Sequence, residues 1–229
     1  MCGRVNVSDN DGVRLLLESF GMTTWPGRDP RFNVAPTQTL DVVKMDEEPV
    51  LTPMSWGLSM SVKGAKGQAI VKRVPNARDD KVWSSYLWRF LMPEQRVLVP
   101  VNGYYEWKRE NKKLVQAYYV TPANGAAMFI AGIFKLPDND TLKPEVSIIT
   151  TAPNEYMRKV HHRMPVILSS HNEAMAWIQE TDKDSISALM RPASNDALVF
   201  TEVSDYVNKS GNEGPECVAP MAYYQRGLI

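Results

Sequence analysis

Apolar residues along this chain fall mostly into short runs broken by Gly, Asn and Asp, the signature of strands joined by turns, while helical spacing is confined to a few segments. Residues 2–8 read as a short strand. Ser8 or Asp9 can cap a helix through Phe20 whose positions Val13, Leu16, Leu17 and Phe20 form one stripe, and Gly21 ends it. Residues 22–31 read as loop leading into Phe32-Asn33-Val34-Ala35-Pro36. Strands are predicted at 39–45 and 50–58 around an acidic turn at 46–48, followed by a loop or irregular hairpin over 59–74. The spacing of Val82, Trp83, Leu87 and Phe90 predicts a helix over 79–91 with those residues facing the core. Four strands at 96–101, 104–109, 114–121 and 128–134 read as a mostly antiparallel succession. A strand at 146–151, a short helix at 154–160 and a strand at 165–168 come next. Ser170 and Glu173 form a capping box for a helix through Glu180, a second helix is expected over 182–190, and a strand at 197–203 precedes an irregular tail.

These elements predict an α+β fold: one strand-rich domain over 1–229, with a mostly antiparallel, curved or barrel-like sheet and flanking helices. A hydrophobic content of 44% and a charged content of 23% are those of an ordinary globular chain. No apolar run approaches the roughly 20 residues that span a bilayer, and no signal-type segment stands at the N-terminus, so a cytoplasmic monomer without membrane contact is expected. Two cysteines, Cys2 and Cys217, and three histidines offer no metal-ligand cluster, so neither metal nor cofactor is expected. With 26 basic and 26 acidic residues the whole-molecule field gives no reason to expect nucleic acid, and any such surface must be local. Lys63, Lys66, Lys72, Arg73 and Arg78 gather in one stretch, which is either a phosphate-contacting loop or an ordinary solvated one.

Several residues carry candidate chemistry. Removal of Met1 would leave Cys2 with an α-amine and a thiol able to add in turn to one carbonyl carbon, although second-position cysteines are often incidental. In Gly103-Tyr104-Tyr105-Glu106-Trp107, strand alternation puts Tyr104 and Glu106 on one face and Tyr105 and Trp107 on the other. Burial there would raise the pKa of Glu106 toward the range useful in acid catalysis; the bland alternative is an exposed strand Glu. His161 and His162 stand in a loop where a general base could be positioned, or are surface histidines at a helix end. Asn76 and Arg78, two residues apart on an extended segment, could hold a sugar or phosphate oxygen, or order a loop.

Taken in order, the stretches Met1-Cys2-Gly3-Arg4, Asn33-Val34-Ala35-Pro36, Ser55-Trp56-Gly57-Leu58, Asn76-Ala77-Arg78, Gly103-Tyr104-Tyr105-Glu106-Trp107, Thr150-Thr151-Ala152 and His161-His162-Arg163-Met164-Pro165 resemble the motif set of the SOS response-associated peptidase (SRAP) family. The closing Val207-Asn208 and Gly214-Pro215-Glu216-Cys217 fit as well, so the resemblance spans nearly the whole chain. It implies a sensor of abasic sites in single-stranded DNA that becomes covalently attached to them. On that resemblance Cys2 is the nucleophile, Asn76 orients the amine or deoxyribose, Glu106 is the acid/base partner and His161 the proton shuttle. Arg4, Pro36, Arg78, Trp107, Thr150 and Arg163 fall where the family contacts DNA.

The expected product is a thiazolidine, formed when the amine makes an imine with the ring-opened sugar aldehyde and the thiol closes onto the imine carbon. Two departures concern the DNA surface. Ser59-Met60-Ser61-Val62-Lys63 stands where the family carries a Pro and Trp platform, and Asp79-Asp80 puts acidic charge beside Arg78. A thiol-dependent peptidase acting in trans and a non-covalent single-strand binding module are the competing readings.

Overall fold

A computed structural model of the protein describes residues 2–8, 11–22, 29–63, 65–137 and 142–221. The apolar runs pair into two main sheets and a separate hairpin. In the larger sheet, Pro49–Trp56, Thr39–Met45, Arg96–Val101, Met128–Lys135 and Glu145–Thr151 hydrogen-bond in that order, and Glu145–Thr151 pairs back onto Pro49–Trp56. The five strands therefore close into a ring, the barrel-like sheet expected from the sequence. Its pairings are antiparallel except at Glu145–Thr151, which runs parallel to Pro49–Trp56 and to the short strand Asn76–Arg78. The second sheet is antiparallel throughout, in the order Leu198–Val203, Lys113–Pro122, Gly103–Glu110, Val5–Val7, Arg31–Val34.

Strand alternation sorts the core into layers. Val97, Val99 and Val101 share one cluster with Met128, Ile130, Val146 and Ile148, and with Cys2, Val5 and Tyr104. Their neighbours Leu98, Phe129, Ala131, Ile133 and Ile149 point the other way, onto Val13 and Leu17 of the helix Asp11–Glu18 and Ala174, Trp177 and Ile178 of the helix His171–Gln179. The helices thus cover the ring's outer face, while its inner face meets the second sheet around Cys2. Among the described residues no helix is long and apolar enough to cross a membrane.

Three expectations change. The segment 79–91 is not a helix but a series of separate turns with i→i+3 and i→i+4 bonds, such as Val82 N to Arg78 O and Trp88 N to Ser85 O. Two serine hydroxyls compete with the ladder there: Ser84 Oγ donates to Lys81 O at 3.4 Å, and Ser85 Oγ accepts from Leu87 N at 3.4 Å. The turns bury Val82, Trp88 and Met92 and leave Phe90 64% exposed, so Phe90 does not face the core. The strand expected at 165–168 is two pieces, because the chain crosses at Val166 from Glu145–Thr151 to Met128–Lys135: Met164–Pro165 pairs with the first and Ile167–Leu168 with the second. Val166 bridges them, donating to Ile149 O and accepting from Ala131 N, both at 2.9 Å. Residues 59–74, read as loop or irregular hairpin, form a regular hairpin, Leu58–Lys63 against Ala69–Val74.

Of the two residues expected to cap the helix Asp11–Glu18, Ser8 donates its hydroxyl to Asn6 Oδ1 at 2.6 Å, and Asp9 lies outside the described residues. The capping box of the helix His171–Gln179 forms as expected. Ser170 Oγ accepts from Glu173 N at 3.2 Å, and Glu173 reaches back to Ser169 N at 2.8 Å.

Gly103 opens the strand that carries Glu106, and a Cβ there would stand 2.6 Å from Tyr119 Cε2 and 2.6 Å from Val120 O. Gly103→Ala is expected to push apart the two central strands of the second sheet and to lower stability by about 1–3 kcal/mol, read as a reduced urea midpoint at unchanged slope.

Candidate active site

Cys2 owes its position to the strand that follows it. Val5 pairs with Tyr104 on one side and Val34 on the other, and Tyr105 N donates to Arg4 O at 2.9 Å, which carries the extended chain toward Glu106. The Arg4 guanidinium donates to Asn33 Oδ1 at 2.6 Å, Val207 O at 2.9 Å and Asn208 O at 3.3 Å, and lies 5.6 Å from the centre of the Trp107 ring. Asn33 Nδ2 reaches the carbonyls of Val207, Lys209 and Asn212, and Trp107 Nε1 donates to Asn208 Oδ1 at 2.6 Å. Arg4, Asn33 and Trp107 together bolt the loop 207–212 over the first strand. Cys2 is left fully buried.

Glu106 and Tyr104 face this interior, as alternation requires, while Tyr105 and Trp107 pack in the separate cluster around Cys217. Glu106 is only 3% exposed, and its Oε1 accepts from Trp107 N at 3.2 Å. His161 comes from the turn after the helix Glu155–Arg158, which Asn154 caps by accepting from Met157 N at 2.8 Å. His161 N donates to Met157 O at 2.7 Å, fixing the ring with Nδ1 3.9 Å from Glu106 Oε2. The same Nδ1 lies 3.1 Å from Arg163 N and 3.2 Å from Arg163 O, so the backbone of Arg163 meets it with both a donor and an acceptor. Asn76 lies opposite Ile148 in the parallel pair, and its buried Oδ1 accepts no hydrogen bond among the described residues. Thr150 pairs with Arg78 on one side and Pro165 on the other, so the Asn76 strand and the segment after His161 flank one strand end.

Burial sets the charges. It raises the pKa of Glu106 above the usual carboxylate range and lowers that of His161 to about 4. The Cys2 thiol is pushed far up by burial, with the Glu106 charge adding to the effect. The interior therefore favours a protonated carboxyl, a neutral imidazole and an undissociated thiol.

The residues expected to meet DNA divide into two groups. Arg78 is exposed, but Asp80 holds it through Nε at 2.9 Å and Nη2 at 2.7 Å. Arg163 binds Asp79 Oδ1 at 2.5 Å and also donates to Thr150 O. Pro36 is half-buried beside Thr37, whose φ of 79° marks a tight turn, and Thr37 N donates to Trp56 O at 2.7 Å. Thr150 is fully buried with its hydroxyl donating to Ala77 O at 3.2 Å, and Arg4 and Trp107 are committed to the 207–212 loop. In this conformation these last three shape the surface from beneath. Lys63, Lys66 and Lys72 are exposed on the hairpin and make no ion pair among the described residues, whereas Arg73 pairs with Glu145.

The sequence profile of the SOS response associated peptidase (SRAP) family matches residues 1–210. The chain belongs to this family. It is 31% identical over 228 residues to the abasic site processing protein YoqW of Bacillus subtilis, an alignment covering 95% of this chain and 99% of that one. It is 29% identical to YedK of Escherichia coli, with 96% and 100% covered, and 27% identical to HMCES of Xenopus tropicalis, with 99% and 80% covered; both carry the same description. A protein from Bacteroides thetaiotaomicron shares the fold with a TM-score of 0.76 at 23% identity, over 96% of this chain and 99% of that one. A phage-related protein from Bordetella bronchiseptica does so with a TM-score of 0.70 at 21% identity, over 93% and 99%.

Two roles in this SRAP chain escaped the sequence reading. Asn33 and Asn208 stand in the motifs without an assigned role, because side-chain contacts spanning 174 residues for Asn33 and 101 for Asn208 leave no local signal. Asp79, expected only as acidic charge beside Arg78, also pairs with Arg163 and accepts from Thr151 Oγ1 at 2.7 Å.

The pKa shifts fix a pH dependence. Glu106, with its folded pKa raised, contributes stability that is present below the ordinary pKa and lost as pH rises through the folded one. His161, lowered from 6.5 to about 4, contributes stability that is present above 6.5 and lost as pH falls toward 4. Glu106→Gln removes only the first of these, so denaturant titrations should show the variant gaining on wild type as pH rises above the ordinary glutamate pKa of about 4.3.

Proposed function

We propose that this protein captures abasic sites in single-stranded DNA by forming a thiazolidine between its N-terminal Cys2, freed of Met1, and the sugar aldehyde. The observation that carries the reading is the convergence of Cys2, Glu106 and His161 in one buried interior within an SRAP chain whose relatives are described as abasic site processing proteins.

The residue states suit that chemistry. The Cys2 α-amine, with an ordinary pKa of about 7.7–8.0, is substantially neutral near pH 7.5 and adds to the C1′ aldehyde. The carbinolamine then loses its hydroxyl as water, Glu106 supplying the proton, and leaves an imine. The Cys2 sulfur adds to the imine carbon while the thiol proton passes to the nitrogen, directly or through Glu106 or the neutral His161 imidazole. One water is lost in all. Asn76, with its free Oδ1, orients the amine or the sugar hydroxyl.

The same states weigh against a peptidase acting in trans on peptides. Acyl transfer needs a thiolate, normally obtained by lowering the cysteine pKa, and here burial and Glu106 raise it. Glu106 serves better as an acid for dehydration than as the partner of a thiolate.

Intact mass spectrometry of protein incubated with an abasic oligonucleotide should show the sum of the two masses less one water, and only on molecules lacking Met1. Cys2→Ala should abolish the heat-stable adduct. Equal adduct from wild type and Cys2→Ala would overturn the reading.

DNA affinity follows from the ion pairs. A phosphate must displace Asp80 to engage Arg78. Asp80→Asn is therefore expected to tighten binding to single-stranded DNA and to steepen the slope of log K against log salt by about 0.7, one additional phosphate contact, in fluorescence anisotropy titrations.

A further inference from the structure

The second sheet carries four tyrosines on its two central strands, and three have a hydroxyl partner. Tyr105 donates to Phe32 O at 2.7 Å, Tyr119 accepts from Asn6 Nδ2 at 2.9 Å, and Tyr118 meets Glu202 Oε1 at 3.1 Å. The fourth, Tyr104, is fully buried, and its hydroxyl has no hydrogen-bond partner among the described residues. A buried polar group left without a hydrogen bond destabilises the fold, so its persistence calls for a reason outside the resting fold.

Its position supplies one. Tyr104 and Glu106 are two apart on one strand and share a face, and Tyr104 packs in the same cluster as Cys2. Resting on the capture reading above, we propose that Tyr104 is a further catalytic residue, whose O–H donates a hydrogen bond to the oxygen of the abasic-site aldehyde as the Cys2 amine adds to it. As the C–N bond forms, the carbonyl π pair moves onto oxygen, and the phenol stabilises that charge without surrendering its proton. The oxygen takes one proton from the added nitrogen to give the carbinolamine and a second from Glu106 to leave as water, and the nitrogen returns its remaining proton to the Glu106 carboxylate as the imine forms. Burial holds the phenol pKa well above its ordinary value, which keeps Tyr104 a donor across the physiological range. A donor already dehydrated and without a competing partner needs no reorganisation when the charge appears.

The test is Tyr104→Phe, which removes one oxygen, compared with wild type and with Tyr105→Phe from the opposite face. Single-turnover crosslinking to an abasic oligonucleotide should slow about 10²-fold at saturating DNA, with the half-saturation concentration unchanged. Thermal stability should match or exceed wild type, since the lost hydroxyl was unbonded. Tyr105→Phe should do the reverse, losing stability while keeping its rate.

A Tyr104→Phe rate within twofold of wild type overturns the proposal. So does a variant that is markedly destabilised or unfolded, because the hydroxyl would then be holding the structure through a water. Failure of wild type to form any adduct would instead refute the capture reading, and Tyr104's role with it.

Discussion

The site depends on the two-sided pairing of the strand Val5–Val7. Three residues near a chain end would ordinarily fray, since they make few contacts and gain conformational entropy on release. Here the strand is inserted between Gly103–Glu110 and Arg31–Val34, so it is internal to the sheet although terminal in sequence. Val5 and Val7 bury their side chains, and Arg4 and Asn33 tie the same strand to the 207–212 loop. Slipping this strand by one residue would turn Val5 outward and carry Cys2 away from Glu106. The sheet register and the site geometry are therefore one constraint.

A single cause, exclusion of water, sets the chemistry inside. It disfavours charge on every ionisable group in the cluster, and it does so in opposite directions, raising the pKa of carboxyl, thiol and phenol and lowering that of the imidazole. The carboxyl and the imidazole that it pushes apart are neighbours, His161 Nδ1 lying 3.9 Å from Glu106 Oε2. The outer surface follows another rule, with Arg78, Asp80, Asp79 and Arg163 paired in a compensated group. The exposed lysines of the hairpin are the less encumbered cations.

Legibility in the sequence tracked the range of the interactions. The strands at 39–45, 96–101 and 128–134 are set by local alternation and turn residues, and they were readable almost to the residue. The cap at Ser170 is likewise local. The segment 79–91 misled because its helical spacing is genuine, yet serine side chains and tertiary packing select separate turns, with Trp88 inward and Phe90 outward. The facing of Tyr104 and Glu106 followed from period two alone. Their company did not: nothing near residue 106 announces residue 161, and nothing near residue 4 announces residue 207. The crossing at Val166 was equally hidden, because it reflects which neighbours the two halves find rather than any local break.

The reach from Arg4 to the carbonyls of Val207 and Asn208, across 203 and 204 positions, also governs the timing of folding. On the ribosome the first strand is made early, but its partners at 103–110 and its clasp at 207–212 emerge much later. Contacts of such high order close last and slowly. The cysteine end must therefore wait, solvated and outside its dry interior, until most of the chain has been synthesised. Any selectivity that the interior confers on that end is a property of the completed chain, and the growing one must do without it.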